Sequence, residues 1–165
     1  MKRRILLVDD DLAVLLTLKA VLELHGFEVD TAGSSTEAFA RLQSGIYQMV
    51  ISDLRMETED SGLEVLRVAR RQSYNPATAL LTAYPPAGNP RGENRGENRG
   101  ENGVDEDWSA TNSDSLLIKP LGTSALLRQV EALLVSHADK SQTNGRNQTQ
   151  PDHSTKAQDR KRHAG

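Results

Sequence analysis

The chain of 165 residues lacks cysteine and has no long apolar run. Without cysteine, neither a disulfide framework nor a thiolate metal site or nucleophile can form. No apolar stretch approaches the ~20 residues that are needed to cross a bilayer. The first short apolar run, residues 5–8, leads directly into three aspartates, which is unlike a signal peptide. We therefore expect a cytoplasmic protein that does not act at a membrane.

Charge is unevenly distributed along the chain. The formal net charge is −3, but residues 136–165 hold six Lys or Arg against three Asp, so residues 1–135 carry −6. An acidic body argues against nucleic acid as the main partner. Residues 136–165 also contain no large apolar residue and are rich in Gln, Asn, Ser and Thr. We interpret them as a disordered tail that follows a folded body of residues 1–135.

Short apolar runs alternate with segments of helical periodicity over the body. The runs are typical of strands buried on both faces, and the segments between them have apolar residues every three or four positions. Strands are expected at 4–8, 28–32, 47–52, 77–82 and 116–118, and helices at 12–25, 34–45, 62–71 and 124–135. This order predicts βαβ units and an α/β fold, in which helices cover both faces of a parallel sheet.

The stretch between the fourth and fifth strands breaks this alternation. Residues 91–102 repeat Arg-Gly-Glu-Asn three times. A glycine at every fourth position costs ~1 kcal/mol each in a helix, and the repeat has no apolar face to bury. We therefore expect residues 85–114 to be a flexible low-complexity insertion, which shortens or replaces the fourth helix of the body.

Polar side chains stand at the ends of the predicted strands. Asp9 and Asp10 follow the first strand, Asp53 the third and Lys119 the fifth, while Thr82 ends the fourth. Because the carboxyl ends of parallel strands meet at one edge of the sheet, where ligands bind, we expect these side chains to lie together.

The residue types at this edge favour phosphoryl chemistry. Carboxylates that lie close together repel one another, so a cation is needed to keep all of them ionised. Oxygen ligands on a solvated edge suit Mg²⁺, which retains several waters. A carboxylate can attack phosphorus, and metal, ammonium and hydroxyl groups can bind the phosphoryl oxygens.

Four segments of the chain resemble the receiver domains of two-component response regulators. They are RILLVDDD at 4–11, VISDLRM at 50–56, LLTA at 80–83 and LIKP at 117–120, in the order and at about the spacing of that family. The resemblance implies a flavodoxin-like, doubly wound sheet of five parallel strands in the order 2-1-3-4-5. That order places the first and third strands side by side, and with them Asp10 and Asp53.

The resemblance also implies a role for each residue at the edge. Asp53 would accept a phosphoryl group from the phosphohistidine of a sensor histidine kinase or a histidine phosphotransfer protein. Thr82 would hydrogen-bond that group and Lys119 would pair with it. Mg²⁺ or Mn²⁺ would be bound by Asp9 (directly or through water), Asp10, Asp53 and the backbone carbonyl of Arg55. We assign Asp11 to the cap of the following helix rather than to the metal.

Three positions depart from the family pattern. Glu57 stands after Met56 where the family usually has proline, and Gly62 comes one residue later than usual. This loop holds the carbonyl of Arg55, so the departure bears on metal affinity. Leu116 replaces the aromatic residue of the fifth strand that acts as a switch in the family. The usual conformational response is therefore expected to be incomplete.

Three functions can be weighed against these features. We favour a stand-alone receiver that signals through contacts with an unknown downstream protein, because residues 136–165 cannot form an output domain. A pseudo-receiver, which binds partners without phosphoryl transfer, is the alternative. A phosphatase-type enzyme with Asp53 as nucleophile would need a general acid two residues later, where Arg55 cannot give up a proton. We expect a domain that catalyses only its own phosphorylation and hydrolysis, not a turnover enzyme.

Overall fold

The computed structural model of the protein describes residues 1–83, 114–119 and 122–146. Within these residues, strands and helices alternate for most of the chain. In chain order they are β1 (Arg4–Val8), α1 (Leu12–Leu24), β2 (Glu28–Ala32), α2 (Ser35–Ser44), β3 (Met49–Asp53), α3 (Ser61–Arg70), β4 (Ala77–Thr82), β5 (Ser115–Ile118) and α4 (Thr123–Arg146).

The five strands form one sheet in the order β2-β1-β3-β4-β5, and every neighbouring pair is parallel. This confirms the predicted fold class and strand order. The central strands β3 and β4 are buried along their whole length. This explains why their sequences are largely apolar throughout and do not alternate between apolar and polar residues.

Helices pack against both faces of the sheet. Ile5 and Leu7 of β1 point into one apolar cluster together with side chains of α1 and α4. Leu6 and Val8 point into a second cluster with side chains of α2 and α3. Successive residues of a strand face opposite sides, so one five-residue strand contributes to both halves of the core.

Local interactions cap the ends of the first two helices, at Asp11 as the sequence predicted. The Asp11 carboxylate accepts hydrogen bonds from two amides of the first turn of α1, and the Ser34 hydroxyl accepts one from Glu37 in α2. Gly26 adopts φ of +89° just after α1, a conformation that favours glycine.

The last helix is longer than predicted. α4 runs to Arg146, whereas the sequence placed its end at residue 135 and assigned 136–165 to a disordered tail. That assignment is wrong for residues 136–146. Composition shows only that this segment buries little apolar surface, but once the first turns of α4 are packed, each further residue adds a hydrogen bond at low cost. The His137 ring also hydrogen-bonds the carbonyl oxygen of Asn75 at 2.8 Å.

The predicted insertion and its effect on the fourth helix concern residues that the structure does not describe, except for Asp114. Residues 147–165 of the predicted tail also lie outside the described residues. Among the helices within 1–83 and 122–146, none is long and apolar enough to span a membrane.

Candidate functional site

Three carboxylates meet at the carboxyl edge of the sheet. Asp9 and Asp10 follow β1 and Asp53 ends β3, and these two strands are hydrogen-bonded neighbours. One carboxylate oxygen from each lies within 4.8 Å of the others. Asp9 and Asp53 are buried, whereas Asp10 is exposed. The structure therefore brings together the three side chains that the sequence selected as metal ligands.

Lys119 reaches into the same cluster from the end of β5. Its Nζ donates to Asp9 Oδ2 at 2.6 Å and lies 3.2 Å from Asp53 Oδ1. The backbone amide of Lys119 donates to the carbonyl oxygen of Thr82 at 2.8 Å, which ties the start of the β5–α4 connection to β4. The ammonium group thus bridges two carboxylates that come from different strands.

Burial and charge act in opposite directions on these groups. Burial raises the pKa of Asp53, Lys119 opposes this rise, and the negative charges of Asp9 and Asp10 add to it, so that the pKa is raised overall. Burial alone would lower the pKa of Lys119, but its hydrogen bond to Asp9 and its attraction to Asp53 outweigh burial and raise it. A divalent cation among the carboxylates would favour the ionised form of Asp53.

Thr82 and Arg55, the two other residues that the sequence predicted for the site, lie at the end of β4 and in the loop after β3. Thr82 is the last residue of β4 and is 3% exposed. Asp53 lies opposite Leu81 in the pairing of β3 with β4, so Thr82 lies one residue further toward the carboxyl edge of the sheet. Arg55 is exposed and lies two residues past β3, in the loop that leads to α3.

The loop between β3 and α3 is closed by Gly62, which the sequence analysis noted as part of the family pattern without finding its steric role. A Cβ at Gly62 would lie 1.7 Å from the carbonyl oxygen of Asp53, so no other residue fits without moving the backbone of the site. The Gly62 amide also donates to the carbonyl oxygen of Leu54 at 3.2 Å. A glycine in the first turn of a helix, where none is needed for a cap, was the available signal.

Glu57, which stands where the family usually has proline, contacts the start of α2. Its Oε1 accepts hydrogen bonds from the backbone amide of Ser35 at 2.8 Å and from the Ser35 hydroxyl at 3.4 Å. Two effects act on the pKa of Glu57. Slight burial alone would raise it, but hydrogen bonds from its own amide, Ser35 and Ser61 outweigh burial, so the pKa is lowered overall. The extra residue in the loop is therefore accommodated between Asp53 and Gly62, with Glu57 linking the loop to α2.

Asp11 caps α1, as the sequence predicted. Its Oδ1 accepts from the amides of Ala13 at 2.9 Å and Val14 at 3.3 Å. The Asp11 amide in turn donates to Asp9 Oδ1 at 2.9 Å. Asp9 is thus held through one oxygen by the start of α1 and through the other by Lys119, which fixes the orientation of its carboxylate.

The comparison with known proteins agrees with this architecture. The response regulator receiver domain family matches residues 5–88, about half of the chain. The alginate biosynthesis transcriptional regulatory protein AlgB of Pseudomonas aeruginosa is 42% identical over 81 residues, 49% of this chain and 18% of that protein. The transcriptional regulatory protein CpxR homolog of Haemophilus influenzae is 33% identical over 141 residues, 84% of this chain and 53% of that protein. The chain thus spans about half, or less, of these relatives.

Solved structures give the same result. The response regulator TrrA of Thermotoga maritima, in complex with Mg²⁺-BeF, is 31% identical with a TM-score of 0.61, covering 79% of this chain and 98% of that one. A CheY-like receiver domain protein of Methanospirillum hungatei has the same fold, with a TM-score of 0.67 at 22% identity, covering 85% of this chain and 99% of that one. The chain belongs to the response regulator receiver domain family.

Proposed function

We propose that this chain is a phosphoacceptor receiver in which Asp53 takes a phosphoryl group in a reaction that requires Mg²⁺ or Mn²⁺. One observation carries the proposal. Carboxylate oxygens of Asp9, Asp10 and Asp53 lie within 4.8 Å of one another, and the Lys119 ammonium lies 3.2 Å from Asp53. A nucleophile, a candidate cation site and a phosphoryl-binding cation therefore share one edge of the sheet.

The residues at this edge fit a hard divalent cation. Asp9, Asp10, Asp53 and the carbonyl of Arg55 would supply oxygen ligands, and the exposed side of Asp10 leaves room for the waters that Mg²⁺ retains. When bound, the metal ion would neutralise charge on the phosphoryl oxygens. The complex of TrrA with Mg²⁺-BeF supports this assignment by similarity.

Phosphoryl transfer would need little covalent chemistry from the protein. A carboxylate oxygen of Asp53 forms a bond to phosphorus while the phosphorus–nitrogen bond of the donor phosphohistidine breaks, and the imidazole leaves with the electron pair and is protonated. Lys119 would pair with the phosphoryl oxygens, and Thr82, at the end of β4, would hydrogen-bond them. Catalysis would then rest on positioning and charge, as in other phosphoryl transfers.

The partners follow from this chemistry. The donor would be a sensor histidine kinase or a histidine phosphotransfer protein, and the site of action would be the cytoplasm. The domain would act as a signalling module and not as a turnover enzyme. AlgB and the CpxR homolog are named as transcriptional regulatory proteins, and this chain spans only part of each. A stand-alone receiver that signals through an unknown downstream protein, without nucleic acid, therefore stays a prediction.

The direct test is incubation with Mg²⁺ and acetyl phosphate, followed by intact mass measurement. We expect the protein to gain one phosphoryl group and Asp53→Asn to gain none. Asp60→Asn is the matched control, because Asp60 is exposed in the same loop and its side chain makes no cap hydrogen bond. Equal labelling of Asp53→Asn and the unchanged protein would refute the assignment of Asp53.

The same experiment distinguishes the phosphoacceptor receiver from the alternative, a pseudo-receiver that binds partners without phosphorylation. One observation favours this alternative: Lys119 already pairs with both Asp9 and Asp53, so part of the carboxylate charge is balanced without a metal ion. A protein that binds Mg²⁺ but takes no phosphoryl group from acetyl phosphate or from a phosphohistidine donor would be a pseudo-receiver.

A further inference from the structure

The strand that carries Lys119 to the site is the shortest of the sheet and lies at its edge. β5 has four residues and, within the described part of the chain, pairs with β4 alone. Of its side chains, only that of Leu117 is fully buried. Leu116 is half-buried against the second apolar cluster. Apolar contacts are not directional, so the packing of these two leucines holds the strand on the sheet without fixing its position along β4.

The alternating pattern of β5 allows more than one register. A slip of one residue would turn Leu117 to the opposite face, which the core forbids. A slip of two residues keeps each side chain on its face and would move Lys119 by ~6.6 Å along the sheet. Since Lys119 Nζ lies 2.6 Å from Asp9 and 3.2 Å from Asp53, such a shift would remove it from the site.

A polar contact at the opposite end of β5 selects one register. Asp114, immediately before β5, accepts hydrogen bonds through Oδ2 from the backbone amide of Thr78 at 2.8 Å and from the Thr78 hydroxyl at 3.1 Å. The Asp114 amide donates to the Thr78 carbonyl oxygen at 2.9 Å. Thr78 is fully buried and the Asp114 side chain is 13% exposed. We call this set of contacts the Asp114–Thr78 clamp.

The Asp114–Thr78 clamp, unlike the apolar contacts, favours one register of β5 on β4. In a register shifted by two residues, the buried amide of Thr78 would lose its carboxylate acceptor, and a buried donor without a partner is strongly disfavoured. Two other charged or titratable groups approach Asp114, at longer distances: Arg70 at 4.0 Å and His137 at 3.7 Å. Thr78 is therefore the principal partner of the carboxylate.

We propose that Asp114 is a positioning residue, which fixes β5 in register on β4 and thereby places the Lys119 ammonium between Asp9 and Asp53. The register itself is independent of the proposed function. The consequence for phosphoryl transfer rests on that function, in which Lys119 binds the phosphoryl group. Asp114 lies at the other end of the sheet from the carboxylates and acts only through the strand.

The register can be measured directly by NMR in Asp114→Ala and Asp114→Asn. Asparagine keeps an oxygen that can accept both Thr78 hydrogen bonds, whereas alanine removes the acceptor. In Asp114→Ala we expect loss of the through-hydrogen-bond coupling between the Lys119 amide and the Thr82 carbonyl and a displaced Lys119 ammonium signal. Asp114→Asn should retain both signals of the unchanged protein. Retention of both signals in Asp114→Ala would overturn the proposal.

A functional measurement on the same variants separates positioning from loss of stability. With acetyl phosphate, we expect Asp114→Ala to label at least about 10²-fold more slowly, because a misplacement of even ~1 Å can cost this much and a register slip moves Lys119 further. Its Mg²⁺ affinity should not fall, because the carboxylates that follow β1 and end β3 stay in place and lose only a competing ammonium charge. Leu42→Ala, which removes a buried side chain of α2 far from β5, is the control that lowers stability without touching the clamp. Equally slow labelling in Leu42→Ala would contradict a positioning role.

Two further outcomes are distinguishable. If Asp114→Ala does not fold, Thr78→Val removes the hydrogen bond from the Thr78 hydroxyl to the Asp114 carboxylate, keeps the one from the Thr78 amide, and should show the same changes at smaller amplitude. Unchanged Lys119 signals and labelling in Thr78→Val would then count against the proposal. If the unchanged protein takes no phosphoryl group while the Lys119 signals still move in Asp114→Ala, the proposed function fails and the positioning role of Asp114 stands.

Discussion

The three carboxylates of the site have different surroundings, and these separate their roles. Asp9 is buried and accepts hydrogen bonds through both oxygens, from Lys119 and from the Asp11 amide. Asp53 is buried, and its Oδ1 lies 3.2 Å from the Lys119 ammonium. Asp10 is exposed at the open side of the cluster. Asp10 is therefore the carboxylate most free to bind a solvated cation.

We expect Asp10→Ala to weaken Mg²⁺ binding far more than Asp11→Ala. Loss of an outer partner of a metal site typically costs 10- to 100-fold in affinity, so loss of a direct ligand should cost at least about 10-fold. Asp11→Ala should instead cost about 1 kcal/mol of stability through the lost helix cap, while the Asp11 amide still donates to Asp9. Calorimetric titration of both variants with Mg²⁺ measures this, and a larger loss in Asp11→Ala would mean that the assignment is displaced by one residue.

Tyr47 gives the molecule a specific response to alkaline pH. Burial, and then the hydrogen bond that its hydroxyl donates to Asp30 at 2.8 Å, raise the pKa of Tyr47 from 10.0 to about 12. In the folded state Tyr47 keeps its proton at a pH at which the unfolded chain loses it. Its contribution to stability is thus complete below pH 10 and is lost as the pH rises toward about 12.

We therefore expect the free energy of unfolding to fall less steeply between pH 10 and about 12 in Tyr47→Phe than in the unchanged protein. Urea unfolding at several pH values measures the two slopes. Tyr74→Phe is the comparison: Tyr74 also has a pKa raised by burial, but its hydroxyl donates to the carbonyl oxygen of Leu42 instead of a carboxylate. Identical slopes in the unchanged protein and Tyr47→Phe would show that Tyr47 titrates normally.

At the scale of elements, α4 is joined to the body beyond its apolar part. Leu126, Val130 and Leu134 are buried under the sheet, and one turn further His137 bonds the carbonyl oxygen of Asn75 and lies 3.7 Å from Asp114. The helix is exposed from residue 138 through 143. Among the described residues, His137 is thus the last residue of α4 with a hydrogen bond or ion pair to the body.

We expect deletion of 147–165 to leave the melting temperature unchanged and deletion of 137–165 to lower it by several degrees. The reason is the loss of the His137 contacts, worth about 1 kcal/mol for a single net hydrogen bond. His137→Ala in the full chain should reproduce most of the loss. Ser141→Ala is the control, since this hydroxyl bonds only within α4. Equal melting temperatures for both deletions would mean that the His137 contacts add nothing.

The elements that the sequence predicted well are those whose signal is local. Buried runs and helical spacing predicted β1 to β5 and α1 to α3 to within about two residues, whereas the strand order and the residue roles depended on the resemblance to a family. The length of α4 could not be predicted from composition, because its extension depends on an already packed helix and on one contact with Asn75. The Asp114–Thr78 clamp could not be predicted either, since its partners are 36 residues apart in the chain.

For the whole molecule, we expect Mg²⁺ bound at the negatively charged site to stabilise the folded state. Residues 1–135 carry a net charge of −6, and three carboxylates lie within 4.8 Å of one another. A ligand that binds only the folded state stabilises it by ~2.7 kcal/mol at a concentration of 100 times its Kd. Mg²⁺ should therefore raise the melting temperature of the protein by several degrees.

The same measurement on Asp10→Asn is informative in two ways. Without metal, we expect this variant to be at least as stable as the unchanged protein, because one repelling charge is gone. With Mg²⁺, its melting temperature should rise much less. Sodium chloride at matched ionic strength is the control for general screening of charge. A full Mg²⁺ response in Asp10→Asn would place the cation elsewhere.

The contact between Lys119 and Asp9 joins residues 110 positions apart in the chain. We expect this contact to form late in folding. The entropy of ordering the intervening chain is lost before a contact between such distant residues contributes any stabilisation. The carboxylates lie within the first 53 residues of the chain, whereas the ammonium belongs to the residue that follows β5, the last strand in the chain. We expect competence for phosphoryl transfer to appear only when the last strand docks, so that the reaction reports on completed folding.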